Sequence, residues 1–128
     1  MNGKCLADTN VIIRLFRADE RSIELFNQTD NICIPAIVAG ELFYGAQKSA
    51  LKRENMANFS NFLSQHEIVE VDIPVAQAYG EIKAQLQKDG ITIPENDLWI
   101  AAIAKANQYK LITFDGHFAK IDGLQVIS

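Results

Sequence analysis

Four acidic residues occur in surroundings unlike ordinary solvated surface: Asp8 in "CLADTNVII", Glu41 in "PAIVAGELFYGA", Asp97 in "PENDLWIAAIA" and Asp115 in "LITFDGHF". Glu41 is the single charge in the apolar stretch Pro35 to Ala46, and a buried carboxylate must be paired, protonated or bound to a metal. Taken singly, each acid has a structural explanation. Glu41 can snorkel at a helix edge or pair with an Arg. Asp8, Thr9 or Asn10 can cap a helix, Glu95, Asn96 and Asp97 suit a helix N-terminus after Pro94, and Asp115–Gly116 suits a turn.

Together the four acids point elsewhere. Four carboxylates in one pocket repel one another and raise each other's pKa unless a cation compensates them. Ligation by oxygen alone suits a hard octahedral ion, Mg²⁺ or Mn²⁺, rather than zinc. The chemistry that uses such a site is in-line displacement at phosphorus, in which the metal generates hydroxide and neutralises charge on the non-bridging oxygens.

Positioning such a site falls to strands and helices that alternate along the chain. "KCLAD", "NICIP", "HEIVEVDIP", "YKLITFD" and "LQVIS" read as strands,. Between them, apolar spacing predicts helices over Val11–Arg17, Glu20–Asn27, Ala36–Gln47, Lys52–Ser64, Pro74–Lys88 and Glu95–Asn107,. This alternation predicts an α/β fold with a mostly parallel sheet covered on both faces. Ligands of such sheets bind beyond the carboxyl ends of the strands. Asp8 and Asp115 end strands, so acids from distant parts of the sequence converge on one edge.

The bulk properties agree. At 128 residues, with no repeat or linker, residues 1–128 read as a single domain. Hydrophobic residues make up 48% and charged residues 22%, a globular rather than disordered composition. No apolar run approaches the roughly 18 residues of a membrane span, and "MNGKCLADTN" lacks a signal-peptide pattern, so the cytoplasm is expected. Cys5 and Cys33 are isolated and read as small buried hydrophobes. A net charge of −4 argues against a broadly basic nucleic-acid binder. It leaves open one that meets phosphates through a cation.

The motifs "LADTNVII", "PAIVAGELFYGA", "PENDLWIAAIA" and "LITFDGHF", in this order across nearly the whole chain, resemble the PIN-domain nucleases, most closely the VapC-type toxins of bacterial toxin–antitoxin pairs. The resemblance implies a PIN-like α/β/α sandwich with a central sheet of about five strands. It makes Asp8, Glu41, Asp97 and Asp115 an acidic quartet around Mg²⁺ or Mn²⁺. Thr113 matches the hydroxyl residue before the last acid, and Asn10 the polar residue that steadies the first loop. The implied reaction is endonucleolytic hydrolysis of single-stranded or looped RNA. The implied partners are a second copy of the chain, forming a homodimer, and an antitoxin whose C-terminal segment blocks the pocket. Family members often carry further polar or acidic residues after the last Asp, where this chain has Gly116 and His117.

Candidate substrate contacts are fewer. Asn10, Arg14 and Arg17 share a face of the first helix, from which either arginine reaches toward phosphates, and His117 lies beside the pocket. Lys48, Lys52 and Arg53 form a second basic cluster. Solvated helix faces are the plainer account of both basic groups. Trp99, Phe43 and Tyr44 read as core or dimer interface rather than as base-stacking platforms. Two alternatives stand beside the nuclease: a receiver-like, Mg²⁺-binding signalling module with Asp72 as phosphoacceptor, and a PIN-like fold that only binds.

Overall fold

The computed structural model describes residues 3–128. Its elements run β1 (Cys5–Ala7), α1 (Thr9–Phe16), α2 (Glu20–Gln28), β2 (Ile32–Pro35), α3 (Ala36–Gln47), α4 (Lys52–Ser64), β3 (Glu67–Val69), α5 (Ile73–Lys88), α6 (Glu95–Asn107), β4 (Lys110–Ile112) and β5 (Val126–Ile127), with a 3₁₀ turn at Gly116–Lys120 before the last strand. All five expected strands are present, in the order β3-β2-β1-β4-β5, and every pairing is parallel. The expected α/β architecture is therefore the observed one, with a sheet parallel throughout rather than mostly so.

Two of the shifted boundaries have clear causes. The third strand stops at Val69 although alternation continues to Asp72, because β3 is an edge strand paired only with β2. The first helix starts at Thr9, two residues before Val11, and Asp8 is its N-cap. Of the three candidate caps Asp8, Thr9 and Asn10, the structure uses Asp8. Asp8 has extended backbone angles and accepts from the Thr9 N–H, so it caps and faces the cleft at once.

Parallel strands buried on both faces need apolar residues throughout. Leu6, Ala7, Ile34, Leu111 and Ile112 accordingly have no exposure. α6 supplies the other large share: Ile100 through Ala104 are all completely buried. Cys5 and Cys33 are free and buried, as small hydrophobes would be. Among the described residues no helix is long and apolar enough to cross a membrane.

The topology places the site. β1 is central, with β2 on one side and β4 on the other. The chain leaves it toward β2 and returns later to β4, which makes its carboxyl end the switch point where such sheets bind ligands. Asp8 is the first residue beyond that end.

Candidate active site

Register explains the innermost contact. Ala7 pairs with Ile112 across β1 and β4, so one step further Asp8 lies beside Thr113. The Asp8 N–H donates to the Ile112 carbonyl at 2.9 Å, and the Thr113 hydroxyl donates to Asp8 Oδ2 at 2.7 Å. Thr113 Oγ1 in turn accepts from the Asp115 N–H at 3.0 Å. One hydroxyl, 1% exposed, therefore ties the two strand-end acids together. Asp8 is itself only 5% exposed.

The other acids come from helices that open onto the same edge. Glu41 lies in the second turn of α3, and its Oε1 accepts from Thr9 Oγ1 at 2.8 Å. Asp97 is in the first turn of α6, where the helix dipole favours a negative charge. Asp115 caps the 3₁₀ turn by accepting from the His117 N–H at 3.1 Å. Asp8, Glu41, Asp97 and Asp115 line one open cleft of about 450 Å³, together with Thr9, Asn10, Pro94, Glu95 and Asn96.

His117 enters the site more fully than its loop position suggested. Its Nε2 lies 2.7 Å from Asp97 Oδ2 and 2.7 Å from Asp115 Oδ2. Two ionised carboxylates within 4.8 Å repel by about 3–4 kcal/mol at an effective dielectric near 20. A single N–H cannot serve both oxygens at full strength. The arrangement therefore favours a proton on one carboxyl group or a cation shared by both. Asp97 is accordingly pushed above the usual carboxylate range, first by burial and then by Asp115, against the pull of His117. Burial raises Asp8 in the same way, reinforced by Asp97 and Glu41 and opposed by the hydrogen bonds from Thr113 and Thr9.

The remaining expected contacts divide. Asn10 is exposed and lines the cleft. Arg14 stacks its guanidinium over Phe114, 4.7 Å from the ring centroid, next to Asp115 in sequence. Arg17 ends α1 as an exposed cap residue and is not among the cleft-lining residues. Of the second basic cluster, Lys48 lies over the Tyr44 ring, while Lys52 and Arg53 are exposed on α4. Trp99 stacks face to face on Tyr79 at 3.8 Å, and Tyr44 is exposed rather than core. Thr9 is the contributor that its sequence did not announce, since a Thr after a strand-end Asp reads locally as a cap.

Over residues 5–124 the chain matches the model of the PIN domain. The chain belongs to the PIN domain family. This PIN domain is 37% identical over 114 residues, 86% of its length and 85% of the other's, to Ribonuclease VapC2 of Haemophilus influenzae. It is 32% identical over 126 residues, 96% of each chain, to the tRNA(fMet)-specific endonuclease VapC of Salmonella typhimurium. Among solved structures it superposes on DNA-bound VapBC from Salmonella typhimurium with a TM-score of 0.90 and 32% identity, covering 99% of this chain and 98% of that one. On VapBC2 from Rickettsia felis, bound to a promoter DNA fragment, the TM-score is 0.87 at 30% identity, with 98% of each chain covered.

The receiver-like alternative fails on the same ground and on geometry. β2 intervenes between β1 and β3, and Asp72, beyond β3, caps α5 by accepting from the Val75 N–H at 3.1 Å. It does not line the acidic cleft.

Proposed function

We propose that this PIN domain is a metal-dependent endoribonuclease, the toxin of a VapC-type pair, which cleaves RNA and is neutralised by a cognate antitoxin. The observation that carries the reading is the meeting of Asp8, Glu41, Asp97 and Asp115 in one open cleft, in a fold shared with VapBC toxins. The cytoplasm, where RNA is available, is the proposed compartment, and a homodimer the proposed assembly.

The donor set fits a hard divalent ion. Four carboxylates supply oxygen ligands, and the Asp97 and Asp115 oxygens already converge on one atom, His117 Nε2. Asp8, Asp97 and Asp115 would hold Mg²⁺ or Mn²⁺, with Glu41 acting directly or through water. When bound, the ion supplies a low-pKa water and charge neutralisation at the phosphorus. The chain's own residues do the aiming. Thr113 fixes Asp8 against Asp115, and Thr9 fixes Glu41. Glu41, which lines the cleft and is held by Thr9, would accept a proton from the attacking water. Arg14 offers a cation beside the cleft to a flanking phosphate.

A PIN-like domain that only binds would have no use for four mutually repelling carboxylates, and all four are retained. Digestion of total cellular RNA by the antitoxin-free protein, with cleavage ends mapped, tests the reading. Discrete ends that disappear with EDTA are expected. No cleavage with Mg²⁺ or Mn²⁺ would reject it.

A further inference from the structure

The four acidic motifs offer a metal carboxylate oxygens alone, but the fold adds a nitrogen. Among the described residues, Asp97, Asp115 and His117 form a group whose donor atoms, one from each, lie within 4.8 Å of one another. His117 Nε2 lies 2.7 Å from Asp97 Oδ2 and 2.7 Å from Asp115 Oδ2. Ligands on neighbouring corners of an octahedron with bonds of about 2.1 Å stand roughly 3 Å apart. The two N···O separations are therefore close to those of donors that share one ion. Each donor is also fixed by its own support. Asp97 sits in the first turn of α6. Asp115 uses Oδ1 to accept from the His117 N–H at 3.1 Å, which leaves Oδ2 for the ring. Phe118, completely buried, anchors the 3₁₀ turn that carries His117. The side chains of His117, Asp97 and Asp115 are 29%, 17% and 28% exposed, so water offsets little of the repulsion between the two acids. One N–H between two acceptors satisfies neither fully. A divalent ion bound by both oxygens and the nitrogen satisfies all three.

We propose that His117 Nε2 is a direct ligand of the divalent ion, alongside Asp97 and Asp115, and that this nitrogen makes the centre select Mn²⁺ over Mg²⁺. The inference rests on the metal-dependent reading above and goes beyond it by naming a further ligand and the preferred ion. Mg²⁺ takes oxygen ligands and keeps several of its waters. Imidazole suits first-row transition ions, whereas carboxylates suit Mn²⁺ as well as Mg²⁺. A set of carboxylates with one imidazole therefore fits Mn²⁺ better than Mg²⁺. The ring ligates as neutral imidazole, with its proton on Nδ1. The chain has two histidines, and the other stands elsewhere. His66 Nδ1 donates to the Phe62 carbonyl at 2.9 Å, and His66 lines a different cavity, with Lys4 and Glu67. A nitrogen ligand on the bound ion thus identifies His117 without ambiguity.

The test uses the whole chain without a histidine tag, loaded with Mn²⁺, and needs no RNA. Electron spin echo modulation of the bound Mn²⁺ should show nitrogen coupling from a coordinated imidazole. That coupling should change in protein carrying ¹⁵N-labelled histidine and disappear in His117→Ala. In calorimetric titrations His117→Ala should raise the Mn²⁺ Kd at least about tenfold, since losing even a group that orients a ligand costs that much, and move the Mg²⁺ Kd less than about twofold. The preference for Mn²⁺ over Mg²⁺ should therefore fall about tenfold. Bound Mn²⁺ without nitrogen coupling, or an unchanged preference in folded His117→Ala, would overturn the inference. His117 would then be a hydrogen-bond donor that the ion displaces. The labelled, unsubstituted chain decides the matter even where His117→Ala fails to fold. Failure of the unsubstituted chain to bind either ion would reject the metal-dependent reading itself, and this inference with it.

Discussion

Thr113→Val removes one oxygen from the centre of the site and little else. Valine keeps the branched shape, so the buried position, 1% exposed, stays filled. Two hydrogen bonds go: the 2.7 Å bond to Asp8 Oδ2 and the 3.0 Å bond from the Asp115 N–H. The first involves a carboxylate and is worth about 1.5–3 kcal/mol; the second is worth about 0.5–1.5 kcal/mol. The expected loss of stability is therefore about 2–4.5 kcal/mol. For a domain of this size that lowers Tm by roughly 6–18 °C, measured by circular dichroism at pH 7 without metal. Asp8 loses the partner that sets its orientation, so cleavage should fall by about 10–100-fold, the usual cost of removing a residue that orients a metal ligand. Thr113→Ser restores the oxygen and should recover most of both losses. If Thr113→Val melts within a degree or two of the unsubstituted chain and cleaves RNA as fast, the hydroxyl does not organise the two acids and this reasoning is wrong.

Three further outcomes are expected. Asp8→Asn should abolish cleavage yet stabilise the metal-free protein at pH 7 by about 1 kcal/mol. The sign follows from the raised folded-state pKa of Asp8: its stabilising contribution is complete below the unfolded value near 3.9 and is lost as pH rises through the folded value. The advantage of the Asn variant should thus shrink as pH is lowered toward 4, and an unchanged gap in urea titrations across that range would contradict it. Thr9→Val should lower kcat about tenfold by releasing Glu41 while costing about 1 kcal/mol; an unaltered kcat would show that Glu41 needs no support. Phe118→Ala should cost about 3–5 kcal/mol, because Phe118 is completely buried and anchors the 3₁₀ turn that carries His117; a loss under 1 kcal/mol in urea unfolding would remove that role.

Elements whose cause is local were legible from the residues alone. Apolar runs ending in Asp8 and Pro35 mark strands that are buried on both faces. The single charge at Glu41 and the acids after Pro94 mark helices that open onto the strand ends. Contacts made by residues far apart in the chain were not legible. His117 meets Asp97 across 20 positions and Thr113 meets Asp8 across 105, and no local spacing encodes either contact. The helix cap went to Asp8 because the strand register carries it to the sheet edge, where its carboxylate reaches the Thr9 N–H and the Thr113 hydroxyl together. Asp72 looked eligible as a phosphoacceptor because strand order is invisible in sequence, and that order puts β2 between it and Asp8.

The most direct measurement is cleavage of one short, end-labelled RNA by purified, antitoxin-free protein, across Mg²⁺, Mn²⁺ and EDTA. It should compare the unsubstituted chain with Asp8→Asn, Glu41→Gln, Asp97→Asn and Asp115→Asn. Internal cleavage with either metal is expected, with none in EDTA and a loss of at least a hundredfold in every variant, each still folded by circular dichroism. Equal cleavage in EDTA, or full activity in the folded Asp97→Asn and Asp115→Asn variants, would contradict a metal-dependent nuclease built on these four carboxylates.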